Sequence, residues 1–331
     1  MSNGRVTFAL DTGALTLPDE GIIAIFGASA EMDLSALDPA RLHVIQPFRP
    51  DHDALTARGL RCGLAPEGPY AAAIVCVPRA RDLAQAWIAA AAAACPGGLL
   101  IVDGAKTDGV DTLLKAMRQR TPIAGQVSKA HGRVFWLTAG TDFADWAARR
   151  RDVGDGLVTA PGVFSADGPD AGSRALAQAL PANLGGAVAD LGAGWGYLSA
   201  QILKRPDVTA LWLVEADANA LDCARSNISG PRADFVWADA TRWDAPQRLD
   251  AVVMNPPFHT GRAGDPDLGR AFIQTAARNL KPAGRLWMVA NRHLPYEAEL
   301  ETRFRAVEEL KGSGAFKLFR AEGPRPQRKG A

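Results

Sequence analysis

Short apolar runs alternate with longer amphipathic stretches along most of the chain. Residues 22–26, 42–45, 71–77 and 99–102 are apolar runs of strand length, the first three closed by Gly27, Gln46-Pro47 and Pro78. Residues 82–94, rich in alanine and followed by Pro96-Gly97-Gly98, read as a helix. So do residues 107–120, where Val110, Leu113, Leu114 and Met117 recur at roughly helical spacing. Residues 133–138 form a late strand in which the adjacent Phe135 and Trp136 must face opposite sides of the sheet. Further on, residues 170–180 predict a helix with Asp170 or Ser173 as its cap. Apolar strands follow at 187–189, 211–214 and 249–253, with another short one just before Asp239. Strands alternating with helices imply mainly parallel, helix-covered sheets, an α/β fold.

The pattern breaks at residues 147–162, which hold Arg149-Arg150-Arg151, Gly154, Gly156 and Pro161-Gly162. That places a domain boundary near residue 155 and gives domains 1–155 and 156–331. The arginine triplet reads as a solvated helix end.

At 331 residues, with 47% hydrophobic and 22% charged residues, the chain is long enough for two ordinary globular domains. No apolar run reaches membrane-spanning length, and the first residues carry no basic and apolar leader. Cys62, Cys76, Cys95 and Cys223 lack metal-site spacing and read as free thiols of a reducing compartment, so the expected location is the cytoplasm. A net charge of +1, balanced in both halves, excludes a globally basic nucleic-acid coat.

Candidate chemistry collects where the second-half strands end. Asp190-Leu191-Gly192-Ala193-Gly194-Trp195-Gly196 is a strand, a glycine-rich turn and the start of a helix. Tyr197 stands where a dinucleotide fingerprint requires its third glycine, which disfavours a nicotinamide oxidoreductase. The acid before the turn suits an ammonium group better than a pyrophosphate. Glu215, ending the next strand, is placed to accept from ribose hydroxyls, and Asp239, ending the third, to meet an adenine amine. The fourth strand runs into Asn255-Pro256-Pro257-Phe258-His259, where two prolines stop the ladder and push Asn255 towards an extended conformation. Alone, each feature has a bland reading as a turn or a surface acid. In this order they match the S-adenosylmethionine pocket of Rossmann-like methyltransferases, with Asp190, Gly192, Gly194, Gly196, Glu215 and Asp239 as cofactor-binding positions.

The segments Asn255-Pro256-Pro257-Phe258-His259, Ala290-Asn291-Arg292-His293-Leu294-Pro295-Tyr296 and Phe316-Lys317-Leu318-Phe319-Arg320-Ala321 narrow this further. With Pro161-Gly162-Val163-Phe164-Ser165-Ala166-Asp167-Gly168, they resemble the RsmC/RlmG type of ribosomal RNA guanine-N2 methyltransferase. The resemblance implies two tandem Rossmann-like methyltransferase domains, the N-terminal one degenerate and the C-terminal one catalytic. It implies catalytic positions Asn255, Pro256, Pro257 and Phe258, and adds Phe164 to the cofactor site. In this scheme Asn255 and the Pro256 carbonyl accept the amine N–H bonds and Phe258 stacks on an unpaired or flipped base. His259 is as well explained by a structural role. Arg262, Arg270 and Arg292 flank the pocket as candidate phosphate contacts.

The halves also correspond in layout. Phe26-Gly27-Ala28-Ser29 matches Leu191-Gly192-Ala193-Gly194, residues 96–102 match 282–288, and Cys76-Val77-Pro78-Arg79 matches Met254-Asn255-Pro256-Pro257. The expected partner is ribosomal RNA or an assembled ribosomal subunit, with 16S rRNA favoured, and the expected enzyme is a monomer that needs no metal and no membrane. The alternatives are the same chemistry on 23S rRNA guanine, adenine N6 or protein glutamine, or a non-catalytic RNA-binding assembly factor with a vestigial cofactor fold.

Overall fold

The alternating runs resolve into two seven-stranded sheets of the same strand order. The computed structural model describes residues 4–140, 142–257, 259–260, 263–264, 266–311 and 314–326. The chain divides into two compact units, Met1–Arg150 with Ala160–Gly162, and Arg151–Thr159 with Val163–Ala331.

The first unit opens with helix α1 (Arg5–Asp11), strand β1 (Ile23–Phe26), β2 (Leu42–Ile45), α2 (Arg49–Ala57), β3 (Arg61–Gly63) and β4 (Ala72–Cys76). It continues with α3 (Arg81–Ala94), β5 (Leu99–Ala105), α4 (Val110–Arg118), β6 (Gly125–Lys129) and β7 (Gly132–Thr138). The sheet order is β3-β2-β1-β4-β5-β7-β6, with the first five strands parallel and the last two antiparallel. Helices cover both faces, which is why the central strands are apolar throughout. Ala24 and Phe26 of β1 pack with Ala84 and Ile88 of α3, while Ile23 and Ile25 face Val6 and Ala9 of α1 and Leu55 of α2. Phe135 and Trp136 fall on opposite faces, as their adjacency in a strand requires.

Two local expectations change. Helix α4 starts at Val110, because Gly109, at φ 86°, separates it from a 3₁₀ turn at Lys106–Asp108. Arg149, Arg150 and Arg151 are exposed but end no helix; Arg151 instead opens a strand and pairs with Asp167.

The second unit begins with a small antiparallel ladder of β8 (Arg151–Asp152) and β9 (Val158–Thr159). Then come α5 (Ala171–Ala179), β10 (Ala187–Leu191), α6 (Tyr197–Ile202), β11 (Ala210–Glu215), α7 (Ala218–Asn227), β12 (Ala233–Trp237) and β13 (Leu249–Met254). A second ladder, β14 (His259–Thr260) with β15 (Ala263–Gly264), precedes α8 (Pro266–Asn279), β16 (Leu280–Asn291), α9 (Glu297–Arg303), β17 (Phe304–Leu310) and β18 (Phe316–Pro324). The order β12-β11-β10-β13-β16-β18-β17 repeats that of the first unit strand for strand.

Register levels the strand ends. Leu191 of β10 lies opposite Val214 of β11 and Met254 of β13, and Met254 lies opposite Met288 of β16. Gly192, Glu215 and Asn255 therefore emerge along one edge of the sheet. Strand order reverses between β10 and β13, and ligands of open α/β sheets bind outside such a reversal.

Candidate functional site: the carboxyl edge of the second sheet

The glycine-rich turn is suspended from β11. Gly192 and Ala193 both donate backbone N–H bonds to the Val214 carbonyl, at 2.8 and 3.1 Å. Gly192 (φ 74°) has no room for a larger residue without displacement, since a Cβ there would sit 3.3 Å from the Phe272 ring. At Gly194 (φ 55°) a Cβ would meet nothing within 4 Å, so this turn leaves its backbone approachable by a ligand. The Gly194 N–H donates to Glu215 Oε2 at 2.8 Å, and the Asp217 N–H donates to Glu215 Oε1 at 2.8 Å. Burial nevertheless holds the Glu215 carboxyl above its ordinary range, because desolvation outweighs those two backbone donors. Glu215 thus fixes the turn, and its remaining lone pairs are those of a carboxylate poorly solvated by water.

Alternation along β10 puts Val188 and Asp190 on the sheet face packed by α5, α6 and α7. Asp190 is wholly buried there. Its Oδ2 accepts from Ser199 Oγ of α6 at 2.7 Å, while Oδ1 has no hydrogen-bond partner among the described residues. Desolvation, with repulsion from Glu215 adding to it, raises the carboxyl to about 7 against the Ser199 hydrogen bond. A buried carboxylate with one unmatched oxygen is unfavourable until positive charge comes near it.

Asn255 follows β13 directly. Its Nδ2 donates to Asp170 Oδ2 at 3.0 Å and to Ser173 Oγ at 2.8 Å, both at the start of α5. The same Asp170 oxygen caps α5 by accepting from the Ser173 backbone N–H at 2.9 Å. A carboxylate can only accept, so this contact assigns the amide nitrogen to the α5 side and the amide oxygen to the other. Pro256 is buried and Pro257 exposed. Neither carries an N–H, so neither prolongs a ladder.

An open cleft lies over these groups, lined by Phe164, Ser165, Asp170, Ser173, Gly192, Ala193, Gly194, Trp195, Tyr197, Leu198 and Asn255. Of the residues singled out in the sequence, Phe164, Gly192, Gly194 and Asn255 share this lining. Asp190 and its partner Ser199 are fully buried and do not line the cleft, whereas Glu215 reaches its wall through the Gly194 N–H. Gly196, at φ 90°, starts α6. Asp239 closes a local turn, its Oδ1 accepting from the Thr241 N–H at 2.9 Å and Thr241 Oγ1 at 2.6 Å. Phe258 and Arg262 lie outside the described residues, as does the side chain of His259. Arg270 pairs with Asp267, and Arg292 with Glu309 at 3.2 Å, so both carry internal partners.

Phe164 is 60% exposed, an unusual state for a large aromatic residue, and its carbonyl accepts from Trp195 Nε1 at 3.0 Å. The segment is stiffened by Ser165, at φ 54°, whose Oγ donates to the Gly168 carbonyl at 2.6 Å. Asp170, Ser173 and Asn227 are among the residues at this edge that the sequence does not mark as site residues. Asp170 and Ser173 were candidates only for capping, although Asp-x-x-Ser at a helix start was the available signal. Asn227 of α7 donates through Nδ2 to the Val158 and Trp195 carbonyls, both at 2.8 Å, and accepts from the Val158 N–H at 2.7 Å. It ties β9 to the glycine-rich turn, and nothing in its local sequence announces it.

A helix-covered, mainly parallel sheet with a glycine-rich turn after β10, Glu215 ending β11 and Asn255-Pro256 following β13 at the strand-order reversal has the architecture of a Rossmann-like methyltransferase. The methyltransferase small domain family matches residues 155–320. The ribosomal RNA small subunit methyltransferase C of Pseudomonas aeruginosa is 31% identical over 268 residues, 78% of this chain and 80% of that protein. The protein of the same name from Pseudomonas paraeruginosa is 30% identical over 97% of both chains. Among solved structures, the T. thermophilus 16S rRNA N2 G1207 methyltransferase (RsmC), in complex with AdoMet and guanosine, superposes with a TM-score of 0.77 at 26% identity. That match covers 97% of this chain and 93% of the other. The chain belongs to the methyltransferase small domain family, among its RsmC-type members.

Proposed function

We propose that this protein methylates the exocyclic N2 amine of a guanine in 16S rRNA, using S-adenosylmethionine, and that the second unit performs the reaction. The observation that carries the reading is the Asn255 amide, whose nitrogen is held by Asp170 and Ser173 so that its oxygen is turned away from α5. RsmC-type relatives, among them a 16S rRNA N2 G1207 enzyme crystallised with AdoMet and guanosine, support the choice of guanine and of the small subunit.

The residues present fit that cofactor. Asp190 presents an unmatched buried carboxylate oxygen for which a nearby ammonium is the natural complement. Glu215, Gly194 and the exposed Phe164 offer hydroxyl acceptors, an open backbone and an aromatic face. Bound there, S-adenosylmethionine supplies a methyl group already activated on a sulfonium. The protein therefore has mainly to orient the acceptor. A guanine amine is a weak nucleophile because its lone pair is delocalised into the ring. Asn255 Oδ1 and the Pro256 carbonyl accept its two N–H bonds, direct the lone pair and stabilise positive charge as it develops on nitrogen. The prolines keep that corner rigid. No strong base is required, since the product ammonium releases a proton to water afterwards. Phe258, next in sequence, is assigned to stacking on the base, and Asp239 to the adenine end of the cofactor.

Radiolabelled S-adenosylmethionine incubated with 30S subunits, 50S subunits and naked rRNA tests this. Label is expected in 16S rRNA, mapping to guanine N2. Label confined to 23S rRNA, to adenine or to protein would overturn the proposal.

A further inference from the structure

We infer that Asp170 and Ser173 are positioning residues for methyl transfer, holding Asn255 in the one amide orientation that accepts from the substrate amine. The inference rests on the proposed role of Asn255 and adds a function for residues that otherwise look like an ordinary helix cap.

A primary amide is nearly symmetric in shape, and turning it over exchanges an acceptor for a donor at the same place. In the inverted orientation Asn255 would point N–H groups at an amine that itself needs acceptors, and catalysis would stop. Steric fit hardly separates the two orientations, so hydrogen bonding must. The pair at the head of α5 does so. Asp170 Oδ2 is 3.0 Å and Ser173 Oγ 2.8 Å from Asn255 Nδ2, and inversion would set the amide carbonyl against a carboxylate. The contact is rigid for three reasons. Ser173 is only 8% exposed. Asp170 is pinned by its bond to the Ser173 backbone N–H. Gly172 packs so closely beside it that a Cβ there would lie 3.0 Å from Asp170 Oδ2 and 3.2 Å from the Phe316 ring.

The negative charge of Asp170 has a second consequence. By accepting from Nδ2 it polarises the amide towards its oxygen, which makes Oδ1 a stronger acceptor as charge develops on the amine. A helix cap needs only an acceptor, and serine or asparagine serves equally well. Helix capping therefore does not require aspartate here, whereas an acceptor-only group facing Nδ2 does.

The discriminating variant is Asp170→Asn, which keeps a good cap but can present either an oxygen or a nitrogen to Asn255. Single-turnover methyl transfer is expected to fall about ten- to a hundredfold, the effect of losing a charged hydrogen bond in the transition state. Ser173→Ala is expected to lose several-fold. RNA KM and melting temperature should stay within twofold or a few degrees of wild type, and rates are compared at saturating S-adenosylmethionine because Asp170 and Ser173 line the cleft. In an Asn255→Ala background, Asp170→Asn should add no further loss. Wild-type rates for Asp170→Asn, or equal losses with and without Asn255, overturn the inference. Full activity of Asn255→Ala alone would instead overturn the assignment of Asn255, so the two failures are told apart.

Discussion

The two units share one strand order and differ at the carboxyl edge, where the second carries the candidate site. Ladder register makes Phe26 the counterpart of Leu191, Ile45 of Val214, Val75 of Met254 and Val102 of Met288. The sequence correspondence of Cys76 with Met254 is therefore off by one, and Cys76 occupies the place of Asn255. Counting along the chain cannot detect such a slip, because insertions change the offset between halves; cross-strand pairing can.

With that register, the differences at the first unit's edge are specific. Ile25 replaces Asp190, removing the buried carboxylate. Gln46 replaces Glu215 and keeps half its geometry. Its Oε1 accepts from the Phe48 N–H at 2.9 Å, as Glu215 accepts from Asp217, but its Nε2 donates to the Ala28 carbonyl at 2.6 Å. The acceptor facing the turn has become a donor bound to it. Gly27 keeps the positive φ of Gly192, at 72°, yet a Cβ on it would lie 2.2 Å from the Trp87 indole of α3. Val77 still donates to the Asp103 carbonyl at 2.8 Å, prolonging the ladder at the position where Pro256 ends it. Burial pushes the Cys76 thiol well above its ordinary range, the opposite of what a reactive thiol needs. A fold of this kind tolerates such differences because the strands, not the tips, make the core. We read the first unit as a methyltransferase-like domain that no longer takes the cofactor and serves recognition or structure.

The comparison breaks most sharply at the two matched positions. Asn255→Ala is expected to slow methyl transfer by about ten- to a thousandfold in a single-turnover assay, with cofactor affinity barely changed. Cys76→Ala at the matching position should leave the rate within about twofold. Equal effects would mean that the halves are not divided as argued.

The next largest effect is on stability. Arg5 of α1 and Asp103 of β5 form a buried pair, at 8% and 5% side-chain exposure. Burial raises the Asp103 carboxyl and Arg5 opposes that rise. Arg5→Ala strands the carboxylate and should cost about 3–5 kcal/mol in denaturant unfolding. Transfer per folded molecule should be unaffected, since the counterpart of Asp103 in the second unit is Val289 and no such pair serves its site.

A smaller effect is one of pH. The folded-state carboxyl of Asp190 is raised to about 7 from an ordinary 3.8. In the free protein its contribution to stability is complete below about pH 4 and is lost as pH rises through about 7. A bound cation favours the ionised form, so cofactor affinity should rise with pH up to about 7, by at most about tenfold per unit, and then level off. Asp190→Asn should flatten the profile and weaken binding. An affinity that falls over this range would contradict the role given to Asp190.

Much of this was legible in the sequence. Apolar runs located the central strands because both faces of each sheet are covered, and of the residues following those runs Gly192, Gly194 and Asn255 line the cleft. Edge strands were less visible: β6, Gly-Gln-Val-Ser-Lys, is largely exposed and carries no apolar signal. Contacts across long sequence separations were not visible at all. Asp170 and Asn255 are 85 residues apart, and only the packing of α5 against the sheet brings them together.

Division of labour between the units predicts a stoichiometry. Isothermal titration of the full chain with S-adenosylmethionine should give one site per molecule, lost or strongly weakened in Glu215→Gln and unchanged in Gln46→Ala. Two sites per molecule, or one that survives in Glu215→Gln and disappears in Gln46→Ala, would contradict the account.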